Sequence, residues 1–335
     1  MNIGLTFDLK DDYLALGFSE EESAEFDKPD TIEAIETAIN KAGHTTERIG
    51  NIWDLTKALS QGKTWDLVFN IAEGLRGIGR EAQVPALLDA YNIPYTFSDP
   101  LVLSLSLHKG MTKRVLRDLN LATTDFAEVK TIEDVEPVNL PFPLFAKPIA
   151  EGTSKGVSLT SIVKNKVELK LECERLINVF NQPVLLETFL PGREFTVGII
   201  GTGTSAKAIG CMEVLLSQNA EQEIYSYNNK ENYEELVKYR IVEDEISAEV
   251  EALAIAAYKG LGCRDAGRVD IRLDANGVPN IIELNPLAGL HPVRSDLPMI
   301  CNFKGISYQT LIEKILNNAF ERIVKSDLAK IVENK

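Results

Sequence analysis

The sequence predicts an α/β chain in two styles: a doubly wound parallel sheet with its helices first, then mainly antiparallel sheets. Three observations carry that expectation. Strand-like and helix-like runs alternate from residue 2 to residue 118, the pattern of a parallel sheet with helices on its faces. A proline-rich run, P-V-N-L-P-F-P at 137–143, reads as an extended connector, after which short strands dominate. Finally, residues 267–285 read as two strands around Asn276-Gly277, a strong signal for a two-residue hairpin loop.

In order, residues 2–7 form a strand, followed by an acidic loop through Glu20-Glu21-Glu22. A helix is expected from Asp30, where Asp30 and Glu33 have capping-box spacing, to Gly43. Strands at 46–49, 66–71 and 93–97 alternate with helices at 52–59, 82–90 and 101–118. Ligands of such sheets bind beyond the carboxyl ends of the strands, which here points to the loop at 72–82. In that loop Gly77-x-Gly79-x-x-Ala82 matches a relaxed dinucleotide fingerprint, with Asp99 about twenty residues further on. An NAD(P)-dependent oxidoreductase using Gly77 and Gly79 is therefore one reading. Against it, the fingerprint belongs on the first strand of its domain, and Arg76, Arg80 and Glu81 fill the loop with charge. Glu73, Arg76 and Arg80 suit a zwitterionic or carboxylated small molecule better, and a solvated charged turn is the plain alternative.

Beyond the connector, strands are expected at 144–148 and 157–159, then a helix at 165–180 with Asn165 as its N-cap. Strands follow at 184–189, 194–201 and 206–216. Residues 221–240 are polar and rich in Asn, Tyr and Lys, a segment expected to order on binding. An amphipathic helix at 246–261 leads into the hairpin, and a helix at 307–322 closes the chain. No internal repeat is evident.

Bulk properties narrow the function. A chain of 335 residues divides into two or three domains, and 44% hydrophobic with 25% charged residues is ordinary for a globular protein. A net charge of −15 argues against nucleic acid as the main partner, because phosphate contacts need a basic surface. No apolar run approaches the roughly 18 residues of a membrane helix, and the first residues lack a signal-peptide pattern. The cytoplasm is the simplest compartment. Cys173, Cys211, Cys263 and Cys301 are scattered, as small core residues are, and suggest neither a zinc site nor a disulfide framework.

The hairpin holds the chemistry. A loop at Asn276-Gly277 sets Asp270 opposite Glu283 and Arg268 opposite Asn285, all four on one face because strand side chains alternate. Two directly opposed carboxylates repel each other, so a positive charge is expected between them. A hard divalent cation held by Asp270, Glu283 and the Asn285 carbonyl suits that ligand set. The alternative is neutralisation by Arg268 or Arg272. Lys147 ends a strand directly before E-G-T-S-K-G at 151–156, and such a loop can fold its backbone N–H groups over phosphates. It is not a Walker motif, and Gly201–Lys207 departs from one at Ala206. Glu187 and Glu194 bracket a short turn, where they could accept from an amino group and from ribose hydroxyls. His44, His108 and His291 are too dispersed for a triad, and no serine sits in a nucleophile elbow.

Three ordered segments then combine. F-A-K-P-x-x-E-G-T-S-x-G-V-S, L-L-E-T-F-L-P-G-R-E-F-T-V, and L-G-C-R-D-A-G-R-V-D with E-L-N-P-L-A-G-L lie in sequence. With them the chain resembles the ATP-grasp superfamily, and within it the D-alanine–D-alanine ligase family, from about residue 65 onward. The resemblance implies three parts: an N-terminal α/β substrate domain at 1–115, a small central ATP-grasp lobe at 116–186, and a C-terminal lobe at 187–335. It implies an ATP-dependent carboxylate–amine ligase forming an amide bond through an acyl phosphate, with Mg2+ or Mn2+. Lys109 and Lys147 resemble the two lysines that contact ATP. Gly152, Thr153, Ser154 and Gly156 resemble the phosphate flap. Glu187, the Thr188 backbone and Leu190 resemble the adenine site, and Glu194 the ribose site. Lys230 resembles the mobile-loop lysine, Asp270, Glu283 and Asn285 the metal ligands, and Arg268 with Gly289 the oxyanion-stabilising groups.

The amino-acid half departs from the family. Its N-terminal H-E-V-S segment is missing, with residues 9–30 reading differently. Glu231 stands where a tyrosine is expected, Glu73 where a histidine is, and Thr153 where a serine is. After Gly289, Arg294 or Ser295 could take a substrate carboxylate. The partners implied are small carboxylate and amine substrates, amino acids among them but not two D-alanines, with a homodimer by family analogy alone. A nucleotide-binding protein without catalysis is the remaining alternative.

Overall fold

The computed structural model describes residues 1–221, 224, 226, 227, 229 and 232–333, and Lys230 and Glu231 lie outside that set. Three strands, β1 (Asn2–Thr6), β2 (Thr45–Gly50) and β3 (Leu67–Asn70), form a parallel sheet in the order β2-β1-β3. Ile3 and Leu5 of β1 are buried with Ile32 and Ile35 of the helix Pro29–Lys41 and with Leu311 and Ile315 of the helix Tyr308–Glu333. The end of the chain thus completes the core of its beginning. Residues 93–97, expected as a fourth strand, make one parallel bridge, from Tyr95 to Val68. Pro94 has no N–H to extend a ladder. Phe97 turns into left-handed backbone (φ 70°), and its N–H goes to Asp265 at 2.7 Å.

Two helical expectations are corrected. The helix Pro29–Lys41 starts after Lys28 with proline in its first turn, and no capping box forms from Asp30. Asp30 instead accepts from Thr31 N at 2.9 Å and faces His291 Nε2 at 3.2 Å. The helix expected at 101–118 is two helices, Pro100–Leu107 and Lys109–Asp118. The break falls at His108, whose Nδ1 accepts from Met111 N at 3.2 Å and whose ψ of 87° is not helical. It sets Lys109 at the first position of the second helix.

Strands β4 (Phe126–Val129), β5 (Leu144–Pro148), β6 (Ile162–Val163) and β7 (Val184–Thr188) form an antiparallel sheet, β4-β7-β5-β6. The helix Lys166–Phe180 packs on it, and Asn165 caps that helix through the N–H groups of Val167 and Glu168, both at 3.0 Å. Residues 157–159 are not the strand expected there, because a capped 3-10 turn, Leu159–Ser161, precedes β6. A second antiparallel sheet joins β8 (Glu194–Ile200), β9 (Lys207–Leu216), β10 (Val237–Val242), β11 (Ala266–Leu273) and β12 (Pro279–Asn285) in the order β10-β9-β8-β11-β12. Strand β10 lies partly in the stretch read as loop. The helix Glu245–Gly260 covers this sheet with Val250, Ala254 and Ala257.

The β11–β12 hairpin has the expected pairs, Arg268 with Asn285 and Asp270 with Glu283, by another route. Asn276-Gly277 is not the whole loop. Pairing stops at Leu273 with Pro279, and Asp274 N donates to Val278 O at 2.9 Å. Asp274 Oδ1 accepts from Asn276 N and Val278 N, each at 2.8 Å. That longer turn shifts the register by one residue, and a bulge leaving Ile282 unpaired between Glu283 and Ile281 shifts it back.

Candidate active site

Asp270 sits in the middle of β11, flanked by β8 and β12, and this fixes its surroundings. Its Oδ1 accepts from Thr196 on β8 at 2.9 Å, and its Oδ2 accepts from Asn285 Nδ2 at 3.1 Å and pairs with Arg268. Burial raises the Asp270 carboxyl to about 6; Arg268 opposes that rise, and Glu283 and Asp296 add to it. Glu283 is met by Lys109 Nζ at 3.3 Å. Both carboxylates face a cleft open to solvent, which Lys147, Glu187 and Glu194 also line. Among the described residues no three His, Cys, Asp or Glu side chains gather into a metal-holding group. The candidate set is two carboxylates and one amide, which fits a magnesium ion that keeps waters and shares substrate phosphates. Such an ion would offset the burial, and the added repulsion from Glu283, that raise Asp270.

On the opposite wall, Glu187 at the end of β7 is 5% exposed and lies between two ammonium groups. Lys147 Nζ of β5 is 2.7 Å from its Oε2 and Lys113 Nζ 2.5 Å from its Oε1. Burial works to raise the Glu187 carboxyl, but Lys113 and Lys147 outweigh it and hold the group at about 2. Lys113 is pushed below the lysine range, by burial first, despite the pull of Glu187; Lys147, with Glu283 and Glu194 also near, is raised. The trio carries one net positive charge into the cleft. Sequence reading missed Lys113. Its spacing from Lys109, four residues along one helix face, was the available signal. Thr188, Leu190 and Glu194 line the same cleft. Glu194 pairs with Arg272 at 3.4 Å, while Arg193 turns away to Glu213 at 2.7 Å.

The loop at 151–156 closes the cleft's other side. Ser154 and Lys155 line the cleft, whereas Gly152 and Thr153 line a second cavity. Thr153 (φ 51°), Ser154 (φ 55°) and Gly156 (φ 77°) have left-handed backbone, a conformation that non-glycine residues hold only when their surroundings impose it. Gly156 packs against Phe180 and Pro148, with no room for a Cβ, and borders neither space.

Arg268 borders both spaces. The second cavity also takes Asn285, Gly289, Arg294, Ser295 and Glu73 from the residues expected at the site. Ser295 Oγ accepts from His291 N at 3.0 Å and closes the loop around Gly289. Asp27, Glu73 and Glu81 face this cavity too, and none of the three is in an ion pair within 4.0 Å among the described residues. Burial raises Asp27 and Glu81 to about 7, and burial with the neighbouring acids raises Glu73 well above the carboxylate range.

Arg76 and Arg80, expected to touch substrate, are not brought to that cavity. Arg76 is exposed, and Arg80 turns to Glu25 at 2.8 Å and to the carbonyl of Ala150 at 2.8 Å. Asp99, the acid of the dinucleotide fingerprint, pairs with Arg264 at 2.5 Å and caps the helix Pro100–Leu107. The carboxylate that the fingerprint would give to a ribose is thus engaged by Arg264. All four cysteines are buried, each thiol pushed up to about 12 by burial. No helix among the described residues is long and apolar enough to cross a membrane.

Residues 115–317 match the family model described as D-ala D-ala ligase C-terminus. The D-alanine--D-alanine ligase of Bordetella petrii is 33% identical over 249 residues, 72% of each chain. Among solved structures, D-alanine--D-alanine ligase from Bacillus anthracis complexed with ATP superposes with a TM-score of 0.72 at 22% identity, covering 98% of this chain and 99% of that one. The VanG D-Ala:D-Ser ligase from Enterococcus faecalis gives 0.72 at 19% identity, covering 95% and 99%. At those identities the two structures establish the likeness of fold.

Proposed function

Since the chain belongs to the D-alanine–D-alanine ligase family of ATP-dependent C–N ligases, we propose that it joins a carboxylate to an amine through an acyl phosphate. The observation that carries this reading is the position of Arg268, which lines both the cleft of Lys109, Lys147 and Glu187 and a second, acid-lined cavity. Asp270 and Glu283 stand on the cleft side of that boundary.

A carboxylate is a poor acyl donor. One of its oxygens attacks the γ-phosphorus of ATP, ADP leaves, and an acyl phosphate forms. A neutral amine then attacks the acyl carbon, inorganic phosphate leaves, and the nitrogen loses a proton. Lys109, Lys147 and the loop at 152–156 hold the phosphates, with Lys230 as a further phosphate group. Glu187, the Thr188 backbone and Leu190 take the adenine, and Glu194 the ribose. Asp270, Glu283 and Asn285 would hold magnesium or manganese, which when bound neutralises phosphate charge. Arg268 and the Gly289 N–H stabilise the tetrahedral oxyanion; one such donor is typically worth ~3 kcal/mol. The loop at 152–156 also shields the acyl phosphate from water.

The substrates are other than two D-alanines. The substrate cavity is lined by the acids Asp27, Glu73 and Glu81 and by the cations Lys10, Lys28, Arg268 and Arg294. Burial keeps these acids in or near their protonated form, and a bound ammonium would draw them into the charged one. A basic amino acid or a diamine does so at more than one of them, with its carboxylate, if it has one, toward the arginines. The test is a phosphate-release screen with ATP and magnesium over pairs of D- and L-amino acids and diamines. The expected result is highest turnover with a substrate bearing a second ammonium. Turnover with D-alanine alone would overturn the substrate class. ATP binding with no phosphate release from any pair would favour a non-catalytic nucleotide binder.

A further inference from the structure

Glu25 lines the second cavity without a role in the proposed reaction, yet its carboxylate also reaches the loop at 151–156. Its carboxylate, 7% exposed, accepts from Gly152 N at 2.5 Å and pairs with Arg80 at 2.8 Å and Lys155 at 3.1 Å. Arg80 in turn donates to the carbonyl of Ala150, and Lys155 pairs with Glu151. Residues 150, 151, 152 and 155 of the loop are thereby tied to one side chain from a segment 127 residues away. Two carboxylates and two cations balance, so the knot is neutral although buried. Burial works to raise Glu25, but Arg80 and Lys155 outweigh it and hold the carboxyl at about 2, leaving it charged through the physiological range.

Two further facts separate this contact from an incidental ion pair. A Cβ on Gly152 would lie 2.6 Å from Glu25 Oε1, so the carboxylate reaches the backbone only because residue 152 has no side chain. The residues that follow Glu25, Phe26 and Asp27, line the substrate cavity. The segment that meets substrate therefore also grips the loop that meets phosphate.

We propose that Glu25 is a positioning residue that sets the phosphate loop for nucleotide and couples it to the substrate cavity. This rests on the reading of 152–156 as the loop over the phosphates. Without Glu25, Arg80 and Lys155 share only Glu151, and the Gly152 N–H loses its acceptor. Loss of that charge-assisted hydrogen bond at the loop should lower nucleotide affinity roughly tenfold or more.

The experiment is calorimetric titration of the full chain with the magnesium complex of a non-hydrolysable ATP analogue. Wild type, Glu25→Gln, Glu25→Asp, Gly152→Ala and the Glu25→Gln/Gly152→Ala pair are compared. The expected result is roughly tenfold weaker binding for Glu25→Gln and for Gly152→Ala, partial recovery with Glu25→Asp, and a double variant no worse than the weaker single. Unchanged affinity in Glu25→Gln overturns the proposal, as do additive losses in the double variant, because the two changes would then act independently. Should Glu25→Gln not fold, Gly152→Ala decides alone, unchanged affinity again overturning it. Failure of wild type to bind the analogue defeats the ligase reading instead, a separate outcome. A merely structural ion pair would lower the melting temperature and leave the affinity of the folded fraction unmoved.

Discussion

Replacing Glu187 by glutamine isolates the electrostatics of the cleft wall. The substitution keeps shape and removes the one negative charge between Lys113 and Lys147, which are 1% and 6% exposed. A carboxyl held at about 2 instead of its ordinary 4.5 is favoured in its charged form by about 3 kcal/mol in the folded chain. Breaking a buried pair from one side costs a similar ~3–5 kcal/mol, because the partner charge is left uncompensated. Part of the wild-type gain is offset by Lys113, whose ammonium burial and Lys147 disfavour. Glu187→Gln should therefore destabilise the apo protein by about 3 kcal/mol at pH 7, read from urea unfolding by circular dichroism. Adding Lys113→Met restores the buried net charge and should recover more than half of the loss. The pH dependence has a definite sign. The folded carboxyl titrates below the unfolded one, so its contribution is present above about pH 4.5 and fades as pH falls toward 2. The gap between wild type and Glu187→Gln should narrow between pH 5 and pH 3. A single variant within 1 kcal/mol of wild type at pH 7, or a double variant no better than the single, would refute the reasoning.

Further predictions follow from the same structure. Asp270→Asn or Glu283→Gln should lower ATP-dependent phosphate release at least ~100-fold in the presence of magnesium, measured with the best substrate pair. Lys147→Ala should weaken nucleotide binding about tenfold or more by calorimetry, since one positive charge leaves a buried wall. Asp27 and Glu81, held near 7 by burial, bind protons in the folded chain that the unfolded chain has already released. Their contribution makes the apo protein less stable as pH rises from about 4 through 7, and Asp27→Asn/Glu81→Gln should flatten that slope in thermal melts. The same double variant should raise KM for a dicationic substrate more than for a zwitterionic one.

Much of the fold was legible because strand and helix periodicities differ. The elements at 2–7, 52–59, 144–148, 165–180 and 246–261 fall within a residue or two of the observed ones. What failed was local chemistry that periodicity does not register. Pro94 and the left-handed backbone at Phe97 stop a run that is otherwise apolar and β-branched enough for a strand. His108 caps a new helix in the middle of an apolar stretch, and that break, invisible to a helical pattern, aims Lys109 at Glu283. Lys28 and Pro29 start a helix that Asp30 and Glu33 only looked suited to start.

The candidate site was legible to a different depth on each side of Arg268. On the cleft side, alternation along β11 and β12 requires Arg268, Asp270, Glu283 and Asn285 to share a face, and sharing a face brings two carboxylates together whatever the turn does. The turn is longer than the two residues expected, and the bulge at Ile282 restores the expected pairing of Asp270 with Glu283. On the substrate side no such rule applies. Glu25 and Asp27 follow the helix Lys10–Ala15, Glu73 and Glu81 follow β3, and nothing in their spacing announces a common cavity. The sequence marked Glu73 and Arg80 together, as candidate substrate residues of one loop. Folding separates the two: Glu73 goes to the cavity wall, and Arg80 goes behind it to hold Glu25. The proposed substrate preference therefore rests on long-range contacts, and the substitutions that test it belong at Asp27, Glu73 and Glu81, not at the Gly77–Arg80 turn.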